Sequence, residues 1–358
     1  MHKQMSNEMS SPLPKYLLQE QEIFQEFKSL ISNLPQDKGM LASSLHQYQG
    51  FWYSPKLLQA AILCQQHFQA RDSDIFLVST PKSGATWLKA IIFSLVNRKK
   101  HPPDSENHPL ISTNPHDLVP FVEVKLYTGY QIPDLESWSS PRLFATHIPY
   151  FSLPESVRKS RDCKIVYLCR DPKDVFVSLW HFTNRLRLKE MGTNSLAHVF
   201  DRFCNGASIL GPFWDHVLLH WNQSKENPDR IFFLKFEDLK RDPQCYLRRL
   251  AEFLGCPFSK EEEGLGMMQE ILKICSFENL SGLEINRNGK LSSGEENKAF
   301  FRRGEVGDWR NYLTDDMAEK LDGISDKKFG GSGSPSLSPF GDPHPYPRGI
   351  GSGTESSS

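Results

Sequence analysis

Apolar residues recur along this chain with two different periods, and the alternation between them gives a first outline of the fold. Lys15 to Leu34 carries Leu17, Ile23, Phe24, Phe27, Leu30 and Ile31 at helical spacing, which predicts a helix. Pro55 opens a second, with Leu57, Leu58, Ala61, Ile62, Cys64 and Phe68 along its apolar side. The run Ile75-Phe76-Leu77-Val78 is continuous rather than periodic, as in a strand buried on both faces. It stops at Pro81-Lys82-Ser83-Gly84-Ala85-Thr86, after which Trp87 to Val96 reads as a helix. A polar stretch bearing Pro and His, Lys99 to His116, predicts a surface loop, and Arg142 to His147 a short strand halted by Pro149. Lys164 to Cys169 repeats the buried-strand pattern. Arg170 stands at its end, and Asp171-Pro172 supplies an N-cap and an N1 proline for a helix from Lys173 to Arg187. A further strand, Arg230 to Lys235, precedes several helices, one opened by a capping box from Ser259 to Glu262. Strands alternating with helices predict a single α/β domain whose central, mostly parallel sheet is flanked by helices.

The ends of the chain lack this patterning. Residues 1–14 are polar and aperiodic, and from Gly330 onward Gly, Ser and Pro dominate, a composition that buries too little to offset chain entropy. The expected organisation is therefore a disordered N-terminus over 1–14, a domain over 15–333 and a disordered tail over 334–358.

Charge and cysteine content narrow the possible partners. In 358 residues, 42 Lys plus Arg face 43 Asp plus Glu, a net charge of −1, so no global field favours a nucleic acid. No apolar stretch approaches the roughly 20 residues that span a bilayer, and the N-terminus has no apolar core of a secretory signal, so neither membrane association nor secretion is expected. Seven Cys without a CxxC pair read as reduced thiols, with no disulfide framework and no zinc site, which also fits a cytoplasmic location.

The loop from Thr80 to Trp87 carries the most chemistry. A Lys and a Gly between a strand and a helix set backbone N–H groups and a cation around one point, which suits a phosphate. Lys82 precedes Gly84, so this is not a Walker A loop. An ordinary βα turn that happens to contain Lys reads equally well from this loop alone. Arg170 at the carboxyl end of a strand, with Ser178 one or two turns into the following helix, makes a second anion site where open α/β sheets bind ligands. A salt bridge from Arg170 to Asp171 or Asp174 is the plainer alternative. Phe301-Arg302-Arg303-Gly304 through Trp309 adds a third cationic segment, which in isolation could equally be a solvated turn.

Together the segments PKSGATWLKA, FATHIPY, YLCRDPKDVFVSLWHF and FFRRGEVGDWRNYL resemble the soluble sulfotransferases that use 3′-phosphoadenosine 5′-phosphosulfate (PAPS). NPHDLVPF and YQGFW are most similar to the plant cytosolic branch, whose members include flavonol and hydroxyjasmonate sulfotransferases. The resemblance runs from about Phe24 to about Gly333. It implies a P-loop-like 5′-phosphosulfate loop at Lys82, Ser83, Gly84, Ala85 and Thr86, with Trp87 stacked on adenine. It implies a 3′-phosphate site at Arg170 and Ser178, closed over by Arg302, Arg303 and Gly304. Phe236, Cys275 and Phe277 match adenine-side positions. His147 matches the general base, a role its unperturbed pKa near 6.5 suits, and Lys82 would neutralise the departing phosphate. No metal is implied.

Three departures stand out. Ala85 replaces a common Thr. Ala145 stands where animal members often have Lys, which throws the charge stabilisation more heavily onto Lys82. Arg310, Thr314, Asp315 and Glu319 break the animal dimer motif KxxxTVxxxE at its Val, so a monomer or weak dimer is expected. Phe51, Trp52, Tyr53, Phe121, Tyr127, Tyr130, Phe151, Trp180 and Phe182 fall in segments that, by resemblance, surround the acceptor side of His147. Those of them that are not core packing would wall an apolar slot for a small hydroxyl acceptor: a flavonoid phenol, a hydroxyjasmonate or a steroid. The competing functions are an ATP-dependent P-loop phosphotransferase and a nucleotide-binding scaffold without turnover.

Overall fold

The strands fall into two sheets. β1 (Gln36–Lys38), β2 (Ser44–Tyr48) and β3 (Phe51–Tyr53) pair antiparallel, whereas β4 (Ile75–Ser79), β5 (Leu143–Thr146), β6 (Lys164–Cys169) and β7 (Ile231–Lys235) form an all-parallel sheet in the order β5-β4-β6-β7. This computed structural model describes residues 23–40, 44–129, 131–187 and 192–330. The expectations for residues 1–14, for the start of the helix drawn from Lys15, for Tyr130 and for the 334–358 tail lie outside the described residues.

The parallel sheet follows from its continuous apolar strands. Leu77 pairs with Ala145 on one side and Val166 on the other, and Val166 with Phe232. Successive residues then alternate between two buried clusters: Phe76, Val78, Phe144, Ile165, Tyr167 and Phe233 on one face, and Leu77, Ala145, Val166, Leu168, Phe232 and Leu234 on the other. Helices cover both faces, among them α1 (Gln25–Ser32), α2 (Pro55–His67), α3 (Ala85–Asn97) and the helix Pro172–Leu186. The expected α/β architecture is the one observed. Its strands start or stop within one residue of their predicted limits, and the Ser259–Glu262 capping box is present.

Two features depart from expectation. The small antiparallel sheet was not legible, because its strands are only three to five residues long, the first two are mostly polar, and its hairpin turn is Gln49-Gly50 rather than Asn-Gly. Both turn residues have positive φ, 50° and 84°, as a two-residue type I′ turn requires. The stretch Lys99 to His116 is not a surface loop throughout. It contains the one-turn helix Pro109–Ser112, and His108, Leu110, Asn114 and His116 are buried. Several of its polar groups are bonded: the Leu110 amide donates to His108 Nδ1 (3.2 Å), the His116 amide to Asn114 Oδ1 (2.8 Å), and Asn114 Nδ2 to Asn286 Oδ1 (2.8 Å).

Candidate active site

The chain runs from β4 outward to β5 and then back across β4 to β6, so the crevice of the parallel sheet opens at the carboxyl ends of its strands. All four strand ends deliver a residue to one cavity of about 390 Å³: Lys82 after β4, His147 after β5, Arg170 after β6 and Phe236 after β7.

The loop after β4 turns sharply enough that Lys82 adopts φ 72° and Gly84 φ 105°. Gly84 is needed twice over, since a Cβ there would also stand 2.7 Å from a Phe236 ring carbon. α3 begins at Ala85; the Trp87 and Leu88 amides donate to the Gly84 carbonyl (3.1 and 3.2 Å), which leaves those of Ala85 and Thr86 at the helix start to hold an anion. Lys82 Nζ lies 3.9 Å from the Phe182 ring centroid and 5.7 Å from that of Phe300. Burial and the charges of Arg302, Arg170 and Arg185 push its pKa down to about 7. A cation so surrounded by cations is relieved by an anion.

His147 is held from three sides. Its Nδ1 is 2.7 Å from the Ser79 carbonyl, which can only accept, so Nδ1 carries the hydrogen and Nε2 keeps its lone pair. Its amide donates to Glu123 Oε1 (2.8 Å), while Glu123 Oε2 accepts from the Thr146 hydroxyl (2.9 Å). Its carbonyl accepts from His216 Nε2 (3.0 Å), whose Nδ1 in turn meets the Tyr167 hydroxyl (3.0 Å). Burial, with help from Lys89, His216 and Lys82, holds its pKa down at about 3 against the Ser79 hydrogen bond, so the ring is neutral at physiological pH.

Arg170 and the segment from Arg302 are tied together by two buried aspartates. Arg170 Nη2 lies 3.3 Å from Asp174 Oδ2 and donates to the Glu305 carbonyl (2.5 Å); Asp174 also accepts from the amides of Gly307 (2.8 Å) and Trp309 (3.0 Å). The salt bridge and the cavity position thus coexist, while Asp171 caps the helix through the Lys173 amide (2.8 Å). Asp308 pairs with Arg302 and with Arg303 (2.8 Å). Burial opposes the Asp308 charge, but Arg302, Asn311 and Arg303 outweigh it and keep its carboxyl below the usual range. The Nε atoms of Arg170 and Arg302 are both buried without a hydrogen-bond partner. Donors left idle beside a cavity fit a phosphate ligand. Gly304, at φ 66°, packs so closely that a Cβ would stand 2.6 Å from Phe277.

The cavity therefore gathers Lys82, Gly84, Ala85, Thr86, Trp87, His147, Arg170, Ser178, Phe236, Phe277, Arg302, Arg303 and Gly304. Trp87 and Phe236 meet edge to face at 5.6 Å. Two candidates lie outside its lining. Cys275 is fully buried with its Sγ 3.4 Å from Ser94 Oγ, and its neighbour Ser276 forms the wall instead. Ser83 is turned inward onto Thr80 Oγ1 (2.6 Å). Among the aromatic acceptor candidates, Phe121 and Phe182 line the cavity. Phe51, Tyr53 and Tyr127 are core, Phe151 is exposed, and Trp180 spends its Nε1 on the Asn194 carbonyl (2.9 Å). The wall beside Phe121 and Phe182 is aliphatic: Leu57, Val124, Leu179, Ile209 and Leu210. His116, Lys240 and Phe300 also line the cavity and were not singled out in the sequence. The motif NPHDLVPF contained the signal for His116.

A parallel sheet whose carboxyl edge carries a phosphate-type loop, clustered arginines and a neutral histidine frames a transferase acting on an anionic donor. The family model for the sulfotransferase domain matches residues 72–333, and the chain belongs to the sulfotransferase family. Cytosolic sulfotransferase 12 of Arabidopsis thaliana is 50% identical over 325 residues, covering 90% of this chain and 98% of that protein. Cytosolic sulfotransferase 5 of the same plant is 49% identical over 314 residues, covering 87% and 97%. A crystal structure of a candidate steroid sulphotransferase from Arabidopsis thaliana superposes with TM-score 0.71 at 44% identity, covering 88% of this chain and 97% of that one. A mouse sulfotransferase complexed with PAP gives TM-score 0.63 at 27% identity, covering 80% and 95%. The resemblance to the plant cytosolic branch holds, and the ATP-dependent phosphotransferase reading is set aside.

Proposed function

We propose that this chain transfers the sulfuryl group of PAPS to a hydroxyl of a small, largely apolar acceptor in the cytoplasm, acting as a monomer or weak dimer through a domain over residues 15–333. The observation that carries the reading is the convergence in one cavity of a neutral His147, with its Nε2 lone pair free, a Lys82 poised to gain charge, and two arginines with idle Nε donors. The α3 amides, Lys82 and Thr86 would hold the 5′-phosphosulfate, and Arg170, Ser178, Arg302, Arg303 and Gly304 the 3′-phosphate. Trp87, Phe236 and Phe277 would enclose the adenine, while Ser83 and Cys275 support the wall from behind. PAPS supplies the sulfuryl group.

In the transfer, the acceptor O–H gives its proton to His147 Nε2 as its oxygen bonds to sulfur. The bond from sulfur to the bridging oxygen breaks, its electron pair stays on the 5′-phosphate, and Lys82 neutralises the charge gained there. The donor's negative charge raises the basicity of His147 from its low value in the ligand-free cavity.

For the acceptor, the lining by Leu57, Phe121, Val124, Leu179, Ile209 and Leu210 supports an apolar alcohol or phenol. A screen with labelled PAPS tests this. Sulfated product is expected from a flavonoid phenol, a hydroxyjasmonate or a steroid, and none from free sugars, Tyr-containing peptides or heparan-type polysaccharides. Efficient polysaccharide sulfation would overturn the acceptor reading, and the absence of any PAPS-dependent product would overturn the activity.

A further inference from the structure

Lys89 is a fully buried lysine outside the machinery described so far. It lies on α3, has no exposed surface, and places Nζ 3.0 Å from His116 Nδ1 and 3.2 Å from the centroid of the Phe121 ring. The other imidazole nitrogen, His116 Nε2, lies 2.9 Å from Thr86 Oγ1. Both His116 and Thr86 line the cavity.

Hydrogen-bond capacity fixes the direction of this chain. Burial pushes the Lys89 pKa well down, while the Glu123 charge and the face of the Phe121 ring favour the ammonium; in that form Nζ only donates, and His116 Nδ1 accepts. A neutral imidazole with an accepting Nδ1 carries its hydrogen on Nε2 and donates it to Thr86 Oγ1. That contact occupies one lone pair of the Thr86 hydroxyl and leaves its own hydrogen for a partner in the cavity. As a stabiliser of the fold, a buried cation is a poor choice beside an apolar side chain of the same size.

We propose that Lys89 is a positioning residue that acts through His116 to aim the Thr86 hydroxyl as a donor at the 5′-phosphosulfate. The proposal rests on the PAPS reading of the cavity. It gives the phosphate loop a directed hydroxyl although Ala85 contributes none.

The test compares two nucleotides that differ only in the 5′-phosphate, PAP and 3′-AMP. Lys89→Met should weaken PAP binding roughly 10-fold to 150-fold, the range for loss of one bond to a charged group, and leave 3′-AMP binding within about twofold. Thr86→Val should produce a similar loss, and Lys89→Met added to it should cost little more, because both cut the same relay. Thr86→Ser should restore PAP affinity. If Lys89→Met does not fold, His116→Leu cuts the relay at the cavity wall and His116→Gln, which keeps a donor at the Nε2 position, should rescue it. Equal losses for PAP and 3′-AMP, or additive losses in the double variant, would overturn the relay while leaving the PAPS reading intact. If the unaltered enzyme binds neither nucleotide, both fall together.

Discussion

Lys82 makes the binding of nucleotide a proton-linked event. In the ligand-free cavity its pKa is pushed down to about 7, first by burial and then by Arg302, Arg170 and Arg185. A phosphate at the α3 amides brings negative charge beside the same ammonium and restores its ordinary preference for the charged form. At pH 8 about nine-tenths of the free enzyme has Lys82 neutral, so binding PAP takes up about 0.9 proton, against about 0.5 at pH 7. The sign follows directly: the complex holds more protons than the free enzyme, so affinity falls as pH rises. With a bound pKa above about 10, Kd should increase about fivefold from pH 7 to pH 8 and nearly tenfold over the next unit.

Calorimetric titration with PAP at pH 8, in two buffers of different ionisation enthalpy, reads the uptake as a difference in heat. Glu237 complicates the reading. Its carboxyl is pushed up to about 7 by burial near Arg170, and a 3′-phosphate can add a share of its own. Lys82→Met removes only the Lys82 contribution, and 3′-AMP isolates the share from the Arg170 end. His147 is neutral in the free enzyme throughout this range, and any share it takes up on binding is read separately in His147→Ala. Buffer-independent heat at pH 8, or an uptake unchanged in Lys82→Met, would refute the reasoning.

Other outcomes follow from the same geometry. His147→Ala should abolish turnover and leave PAP affinity nearly unchanged in equilibrium binding, because its free nitrogen serves the acceptor. Arg302→Ala should weaken PAP by roughly 1.5–3 kcal/mol in the same assay, the worth of a charge-assisted bond to phosphate. Asp74→Ala should lower stability in denaturant unfolding by roughly 3–5 kcal/mol, since it strands Arg142, whose guanidinium has no exposed surface and bonds Asp74 at 2.6 and 2.8 Å. Removing Pro335–Ser358 should change neither melting temperature nor specific activity, because a Gly, Ser and Pro segment has little apolar surface to bury.

The parallel sheet was legible because each strand is buried on both faces and carries a short continuous apolar run bounded by turn and cap residues, such as Pro81 to Thr86 after β4 and Asp171-Pro172 after β6. Lys82, His147 and Arg170 were legible for a related reason. Each is the first chemistry-bearing residue beyond such a strand, and the strand ends of a parallel sheet converge. The acceptor wall was not legible in the same way. Phe51 and Tyr53 are core while Leu57, a few residues on, lines the cavity, and sequence alone does not separate an apolar side chain facing a core from one facing a ligand.

Lys89 shows where reading by position fails. Within PKSGATWLKA it looks like the polar residue of an amphipathic helix, which would carry it to solvent. The apparent loss of a cation at Ala145 was likewise judged from its own strand. In the fold Ala145 is fully buried beside Phe121, with which it forms an isolated bridge, and does not line the cavity. One face of the Phe121 ring neighbourhood is occupied by Lys89 Nζ at 3.2 Å, and His147 packs against the same ring at 4.4 Å. A cation absent from β5 is thus brought near the histidine by α3, and the two positions are linked only through the packing of a third residue. Charge at this site is a property of which helix face meets which strand end. A substitution that looks like a missing catalytic group in one segment can therefore be read only after the elements around it are in place.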